Sequence, residues 1–339
     1  MKAVIYNSKN DFRLEDFSKP ILNKNEALLK VKAAGICGTD YIIWSGKHPR
    51  IKKNIIVGHE VAGEIVDINA EDGWNDFKKG DRASVIPIIS CGKCYACKNG
   101  FYHVCKNLKV LGIDINGCFA EYLKAPLENI IKLRNNVSYE NIAIIEPLAV
   151  AVHAIMRSNF KIGDSVIIIG GGPIGILIAM LLRASGASLI VISDINPFRI
   201  KRIKELGFNF IDGRENNIIE FVDEFTMGEG FNILFEVAGD CTSSSKLINY
   251  VKIKGEIIIV GMFKDKAMFD FWNLNYKEVN IKGVRVYTRS DFIRSKRILE
   301  SEKIDVRKLI THKIKLESIQ DCMSVFEGNN DFLKILVTP

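Results

Sequence analysis

The 339-residue sequence predicts an α/β protein with two domains, one irregular and β-rich and the other a doubly wound parallel sheet. The length is the first observation, since it exceeds one ordinary core and suits two. The second is a series of short strand patterns before residue 147, such as EALLKVKAAG and EVAGEIVDI. The third is a switch after Ser165 to apolar strands that alternate with helices, beginning SVIIIG, PIGILIAMLLRASG and SLIVISD.

These patterns place the domain boundaries. Residues 1–147 and 286–339 are predicted to form the β-rich domain, and residues 148–285 the parallel-sheet domain. The stretch SYENIAIIEPLAVAVHAIMRSNF carries little charge and predicts a buried helix that links the two. Six strands in the second domain form two mononucleotide-binding halves. The last segment holds the helix SDFIRSKRILESE and the strands THKIKL and LKILVT, which return to complete the first domain.

Composition excludes several classes of partner. The 47 Lys and Arg residues exceed the 40 Asp and Glu residues by 7, but they are scattered among acidic residues, so no nucleic-acid partner is expected. The sequence contains no run of about eighteen apolar residues, so no membrane span is predicted. The N-terminal MKAVIYNSKN alternates like a strand and lacks the apolar core of a signal peptide, so we expect a cytoplasmic protein.

A glycine-rich turn indicates a dinucleotide site. In VIIIGGGPIG, an apolar strand leads through a GxGxxG pattern into a helix. The glycines permit a tight turn, a close approach to a pyrophosphate, and helix packing on the sheet, while the helix N-terminus favours the anion. Pro173 suits the first helical position. The predicted pyrophosphate-binding residues are Gly170, Gly172, Pro173, Ile174 and Gly175.

Asp194 ends the next strand and indicates which dinucleotide binds. Its carboxylate is suited to accept hydrogen bonds from the adenosine ribose and would repel the additional phosphate of NADP, so the pattern predicts NAD. A helix-capping role before INPFR is the alternative. Arg199 lies close enough in sequence to affect the preference between NAD and NADP.

Four cysteines are clustered in CGKCYACKNGFYHVC, at Cys91, Cys94, Cys97 and Cys105. The two-residue gaps and the seven-residue return let four sulfurs surround one ion at about 2.3 Å, which predicts a closed structural zinc site. An iron–sulfur cluster and two disulfides are the alternatives. The isolated Cys118, Cys241 and Cys322 are expected to pack as small apolar residues.

A second constellation comes from distant stretches of the chain. AGICGTD supplies Cys37, IVGHEVAGEIV supplies His59 and Glu60, and EPLAVAVHA supplies Glu146. Thiolate, imidazole and carboxylate form the ligand mixture that Zn²⁺ accepts in catalytic sites while one position stays open. Taken singly, each residue also has an ordinary structural explanation.

Seven motifs follow one another along the chain in the order that a known family has them. They are GICGTD, GHE, the four-cysteine cluster, GCFAEY, EPLAVAVHA, GGGPIG and LITH. In this the chain resembles the zinc-dependent medium-chain dehydrogenase/reductase (alcohol dehydrogenase) family over essentially its full length. GHE and EPLAVA resemble the polyol branch, which includes sorbitol (iditol), butanediol and galactitol-1-phosphate dehydrogenases, and other motifs resemble threonine dehydrogenase. The resemblance implies a GroES-like catalytic domain and a Rossmann domain, with the active site in the cleft between them.

The resemblance also implies roles for individual residues. Cys37 and His59 would be ligands of the catalytic zinc, with Glu60 or Glu146 as the third, a choice that the sequence leaves open. Thr39 would relay the hydroxyl proton and Asp40 would orient His59. Adjacent residues on a regular strand face opposite ways, so His59 and Glu60 can reach one ion only where the backbone is irregular, as Gly58 would permit.

The proton relay and the substrate contacts are less defined. Many relatives have a histidine where this chain has Ile42, so the relay would end in water or in the cofactor ribose. Candidate substrate contacts are Arg285, Tyr287, Arg289, Trp44 and His48. For Arg285, Tyr287 and Arg289, an ordinary position in a surface loop is the alternative.

The sequence therefore predicts a zinc- and NAD-dependent dehydrogenase. Its substrate would be a secondary alcohol of a polyol, a sugar alcohol or its phosphate, and L-threonine 3-dehydrogenase is the alternative. A regulatory protein that binds NAD without turnover is a third class. We expect one catalytic and one structural zinc per subunit, and the resemblance implies a homodimer or homotetramer.

Overall fold

The computed structural model describes residues 1–71, 73–74, 76–215, 218–326 and 331–339. The chain divides into two compact units, one formed by Met1–Pro147 with Thr288–Pro339 and the other by Leu148–Tyr287. The second junction follows Tyr287, where the sequence analysis put it after residue 285. In the described part of the chain, every helix is too short or too polar to traverse a lipid bilayer.

The elements are numbered in chain order. The strands are β1 (Lys2–Ser8), β2 (Asp11–Asp16), β3 (Glu26–Gly35), β4 (Ile55–Ile56), β5 (Glu60–Asn69), β6 (Arg82–Val85), β7 (Ile88–Ile89), β8 (Lys109–Val110), β9 (Tyr122–Pro126), β10 (Ile130–Lys132), β11 (Ser165–Ile169), β12 (Leu189–Asp194), β13 (Asn209–Asp212), β14 (Phe231–Glu236), β15 (Val251–Ile259), β16 (Asn280–Gly283), β17 (Ile310–Lys315) and β18 (Lys334–Thr338). The helices are α1 (Gly38–Trp44), α2 (Tyr95–Lys98), α3 (Tyr139–Ala143), α4 (Ile145–Arg157), α5 (Pro173–Ala184), α6 (Pro197–Glu205), α7 (Ile218–Thr226), α8 (Phe271–Lys277), α9 (Arg289–Ser301) and α10 (Ile319–Val325).

The first unit is built on a seven-stranded sheet. Its strands follow the order β10-β6-β5-β3-β18-β17, and β9 also pairs with β3. The side chains of Leu29, Ile65 and Phe119 are fully buried in one apolar cluster of this unit. Strand β18 pairs antiparallel with β3, opposing Leu336 to Gly35. The last strand of the chain therefore lies beside the strand that leads to Cys37.

The second unit is a six-stranded sheet in the order β13-β12-β11-β14-β15-β16. All of its strand pairs are parallel. The apolar run of β11 is buried because helices cover both faces of such sheets. The strand order reverses between β11 and β14, which is the switch point where ligands bind outside the carboxyl ends of the strands. The predicted doubly wound sheet is confirmed.

The predicted linking helix is divided in two. Helix α3 ends at Ala143 and α4 begins at Ile145. Pro147 explains the break, because a proline inside a helix has no N–H to donate and its ring clashes with the carbonyl group four residues earlier. That carbonyl belongs to Ala143, so a continuous helix through this point would be strained.

Candidate metal centre and dinucleotide site

Cys37 lies where β3 gives way to helix α1. Its backbone N–H donates to Asp40 Oδ2 at 2.8 Å, and its Sγ accepts from the Thr39 N–H at 3.5 Å. These reciprocal bonds form a capping box that satisfies donors at the start of the helix. Asp40, which is fully buried, thereby fixes the backbone that carries the thiol.

His59 and Glu60 reach the same point because the backbone before β5 is irregular. Gly58 has φ +90°, and a Cβ there would lie 2.4 Å from the Phe119 ring. A second segment crosses directly beneath, since a Cβ on Gly112 or Gly117 would lie 2.5 or 2.1 Å from Gly58 O. Close backbone contacts therefore fix this irregular conformation. In a regular strand the side chains of His59 and Glu60 would point to opposite faces, but here they do not.

The ligand atoms of Cys37, His59 and Glu60 all lie within 4.8 Å of one another. His59 and Glu60 are buried and Cys37 is half-buried. One sulfur, one nitrogen and one oxygen donor at this spacing fit a zinc ion. Within the described residues this group does not include Glu146, which is the second residue of α4 and is 9% exposed.

Charges around His59 favour its protonated form. Burial lowers the pKa of His59, but the negative charges of Asp40, Cys37 and Glu146 outweigh it, and the net pKa lies well above the usual value. The Nδ1 atom of His59 lies 3.7 Å from Asp40 Oδ1, and both atoms are buried without a hydrogen-bond partner among the described residues. Such an anionic pocket favours a cation at its centre.

Lys334 on β18 already supplies one cation to this pocket. Its Nζ donates to Glu60 Oε1 at 2.7 Å, to Glu60 Oε2 at 2.9 Å and to Ile36 O at 2.9 Å. Burial lowers the pKa of Lys334, but the negative charges of Glu60 and Cys37 raise it by more. The net pKa of Lys334 therefore lies above its usual value. The sequence analysis missed this residue, although a lysine inside the apolar strand LKILVT was a signal.

Glu60 can reach Lys334 because the strand between them carries no side chain at that point. Gly35 on β3 pairs with Glu60 on one side and with Leu336 on the other. A Cβ on Gly35 would lie 1.8 Å from Glu60 Oε2. Gly35 therefore provides the space that the Glu60 carboxylate occupies.

The four-cysteine cluster forms a second compact group, in which all sulfur atoms lie within 4.8 Å of one another. Cys94 Sγ is 3.5 Å from Cys97 Sγ and 3.8 Å from Cys105 Sγ. A tetrahedral zinc with bonds of about 2.3 Å separates its sulfurs by about 3.8 Å, so this spacing fits the ion. All eight cysteines carry free thiols, which removes the disulfide alternative.

Backbone amides prepare one thiol of this cluster for the thiolate form. The N–H groups of Cys97 and Lys106 lower the pKa of Cys94 to about 6. Burial and the neighbouring thiols raise the pKa of Cys97 to about 11. A divalent cation would stabilise all four as thiolates, because metal binding displaces their protons.

The predicted dinucleotide residues lie together in the second unit. Gly170 follows β11 with φ +107°, and a Cβ on Gly175 would lie 2.0 Å from Gly170 O. Gly172 is the N-cap of α5 and is followed by Pro173 and Ile174 in its first turn. The nearest atom to a Cβ on Gly172 is Arg199 Nη1 at 3.8 Å, so a ligand has room to approach.

Asp194 is tied to the glycine turn itself. Its Oδ2 accepts from the Gly171 N–H at 2.7 Å, and its Oδ1 accepts from the Asn196 N–H at 2.8 Å. Arg199 Nη1 lies 3.7 Å from Asp194 Oδ2. The alternative of helix capping does not describe Asp194, because the N-cap of α6 is Asn196. Each carboxylate oxygen keeps a further lone pair for a ribose hydroxyl.

The predicted substrate contacts lie in different local environments. Trp44 is 2% exposed in the core of the first unit, and its Nε1 lies 3.4 Å from Gln320 Oε1. His48 is half-buried, and burial and Arg50 lower its pKa. Tyr287 is fully buried, whereas Arg285 and Arg289 are exposed. Ile42 is half-buried in α1.

Residues 23–135 match the alcohol dehydrogenase GroES-like domain, and residues 173–301 match the zinc-binding dehydrogenase domain. The chain therefore belongs to the zinc-dependent medium-chain dehydrogenase/reductase family. It is a zinc-binding oxidoreductase with a GroES-like domain and a Rossmann domain, as the sequence predicted.

The matches to individual relatives cover most or all of the chain. A sorbitol dehydrogenase of Bacillus subtilis (strain 168) is 30% identical over 347 residues, covering 100% of this chain and 97% of that protein. An L-threonine 3-dehydrogenase of Pyrococcus furiosus is 35% identical over 306 residues, covering 88% and 86%. The crystal structure of 2R,3R-butanediol dehydrogenase from Bacillus subtilis superposes with a TM-score of 0.91 at 29% identity, covering 100% and 99%.

Proposed function

We propose that the protein oxidises a secondary alcohol of a polyol, a sugar alcohol or a sugar-alcohol phosphate, with NAD as the hydride acceptor. The observation that carries this proposal is the close group formed by the half-buried Cys37 with the buried His59 and Glu60, which fits a zinc ion. The similarity to sorbitol and butanediol dehydrogenases supports the substrate class. The overall reaction converts a secondary alcohol and NAD⁺ to a ketone, NADH and a proton.

In this proposal Cys37, His59 and Glu60 hold the catalytic zinc, and Glu146 contributes negative charge nearby. Zinc in such a site acts as a Lewis acid that lowers the pKa of the substrate hydroxyl. Thr39 would relay the hydroxyl proton, accepting it while passing its own proton on to water or to the cofactor ribose, and Asp40 holds the His59 ring in position. A bound nicotinamide would supply the acceptor for the hydride from the same carbon.

The second unit would hold the cofactor. The glycine turn and the start of α5 offer N–H groups to the pyrophosphate, and Asp194 accepts hydrogen bonds from the adenosine ribose. The buried position of Asp194 supports NAD over NADP, because an additional phosphate would face its negative charge.

A substrate screen tests the activity. The zinc-loaded protein is mixed with NAD and, in turn, with polyols, their phosphates, simple diols and L-threonine, and NADH formation is followed by absorbance. A Cys37→Ala variant is the control for metal-dependent turnover. Turnover of polyols supports the proposal, whereas NADH formation from no alcohol contradicts it.

L-Threonine 3-dehydrogenase is the second candidate, because the Pyrococcus furiosus enzyme is 35% identical to this chain. Turnover of threonine with a kcat/KM above that of every polyol would establish it. A protein that binds NADH but oxidises none of these compounds would instead belong to the non-catalytic NAD-sensing class.

Metal analysis should find two zinc ions per subunit, and one or none after gentle purification would contradict the two-site proposal.

We also propose a homo-oligomer, either a dimer or a tetramer. Strand β16 ends the parallel sheet, and all four of its residues are exposed or half-exposed on an edge that no other strand of the described residues pairs with. Helix α8 exposes Phe271 and Trp272, each at 71%. Unpaired edges and exposed aromatic side chains favour association with a second copy. Light scattering of the purified protein tests this, and a monomer at micromolar concentration would refute it.

The free, clustered thiols support a cytoplasmic location.

A further inference from the structure

Glu236 occupies the centre of the switch point in the second unit. It is the last residue of β14, paired with Ile169 of β11 on one side and with Ile259 of β15 on the other. Its side chain is completely buried. A carboxyl group thus lies beneath the edge of the sheet at which a dinucleotide binds.

The two carboxyl oxygens of Glu236 have different surroundings. Oε1 accepts from the Gly239 N–H at 2.7 Å. Oε2 is buried without a hydrogen-bond partner in the described part of the chain. Burial raises the pKa of Glu236, although the amides of Gly239, Asp240 and Ala238 oppose that rise. An apolar side chain would satisfy the core better, so packing alone does not explain a carboxyl group here.

Two glycine loops meet over this carboxyl group. Gly239 has φ +66°, and a Cβ on it would lie 2.7 Å from Met262 O. A Cβ on Gly261 would lie 2.3 Å from Gly239 N and 2.5 Å from Glu236 Oε2. The loops after β14 and β15 therefore contact each other through their backbones. The Glu236 carboxyl group packs against both loops at this contact.

The loop after β14 also abuts the glycine turn after β11. A Cβ on Gly170 would lie 3.0 Å from Ala238 N. Glu236 thus supports, through Gly239, a loop that lies against the pyrophosphate-binding turn.

We propose that Glu236 is a positioning residue for the nicotinamide half of the dinucleotide. The inference rests on NAD binding in the proposed function. Asp194 belongs to the first mononucleotide half and faces the adenosine, so the loops after β14 and β15, in the second half, flank the nicotinamide ribose. Glu236 fixes these loops before the ligand arrives, which reduces the ordering that binding requires.

The test compares NADH with ADP, which lacks the nicotinamide half. Dissociation constants are measured by fluorescence titration for NADH and by competition for ADP. In Glu236→Ala the NADH constant should rise about 10- to 100-fold while the ADP constant stays within about twofold. Glu236→Gln keeps an oxygen that can accept from Gly239, so its NADH constant should stay within about fivefold of the wild type.

Glu256 provides a matched control, since it is a second buried glutamate of the same sheet. It accepts from the Asn159 N–H at 2.7 Å and pairs with Lys282 at 2.6 Å, inside β15 and before its carboxyl end. Glu256→Ala should lower the melting temperature and leave both dissociation constants unchanged. If Glu236→Ala does not fold, Glu236→Asp, one methylene shorter, is compared by the same NADH-to-ADP ratio.

The outcomes separate the two proposals. A wild-type protein that binds neither NADH nor NADPH overturns the proposed function, and this inference with it. A wild-type protein that binds NADH, with a folded Glu236→Ala variant of equal affinity, overturns the inference alone. Equal losses for NADH and ADP would also overturn it, because Glu236 would then support the whole unit and not the nicotinamide half.

Discussion

Removing the ammonium group of Lys334 is expected to destabilise the metal-free protein and to strengthen metal binding. Lys334 Nζ lies 2.7 and 2.9 Å from the two Glu60 oxygens, and the residues are 3% and 1% exposed. In Lys334→Met the Glu60 carboxylate remains buried, close to Asp40, without the cation that pairs with it. A zinc ion held by Glu60 would replace the missing positive charge.

The size of the effect follows from the burial of the pair. Loss of one partner from a buried ion pair costs about 3–5 kcal/mol. If bound zinc offsets that cost completely, the same free energy must appear as tighter zinc binding. Since 1.4 kcal/mol corresponds to a factor of ten, the zinc affinity of the variant should rise by about 100- to 4,000-fold.

Denaturant unfolding of the metal-free and zinc-loaded forms measures the stability change, and chelator competition measures the zinc affinity. Lys277→Met is the control, because Lys277 Nζ donates to Ile248 O and Val251 O in the second unit, at 3.1 and 3.0 Å. Its effect should be the same with and without zinc. Equal destabilisation of both forms by Lys334→Met would refute the reasoning and would favour Glu146 as the third ligand.

Three further predictions concern the cofactor, the proton path and pH. Asp194→Ser should raise the KM for NAD about 10- to 100-fold and shift the preference toward NADP, and an unchanged ratio of kcat/KM for the two cofactors would contradict this. Thr39→Val should lower kcat about 100-fold with zinc content unchanged, and equal turnover across the pH range would remove Thr39 from the mechanism. The hydrogen bond from Arg214 lowers the pKa of Asp212 from 3.8 to about 2, so the stability that it contributes is present above about pH 4 and is lost as the pH falls toward 2. Asp212→Asn should therefore destabilise the protein at neutral pH and have no effect below about pH 2, as measured by urea unfolding.

The second unit was predictable from local patterns. Runs such as SVIII and the GxGxxG turn carry their structural reasons within a few residues, since a strand buried on both faces must be apolar throughout. The four-cysteine cluster was equally local. By contrast, the break between α3 and α4 required the position of Pro147 to be weighed against a continuous apolar pattern.

The contacts around Glu60 could not be predicted in this way. Lys334 is 274 residues away in sequence and reaches Glu60 only because β18 pairs with β3. The role of Gly35 likewise depends on which strands flank it. Local patterns record the burial of a strand but not its neighbours, so the sequence could name candidate ligands without showing which cation already faced them.

The backbone contacts among Gly58, Gly112 and Gly117 hold the metal centre in place independently of the side chains that would bind the metal. The platform under His59 and Glu60 is made of main-chain atoms in contact, so it does not depend on the identity of either side chain. Exchange of the donor atoms should therefore leave the platform in place, whereas a methyl group on any of the three glycines would push the two segments apart. The scaffold is accordingly suited to redesign for other metals through its ligands, provided that the crossing is left untouched.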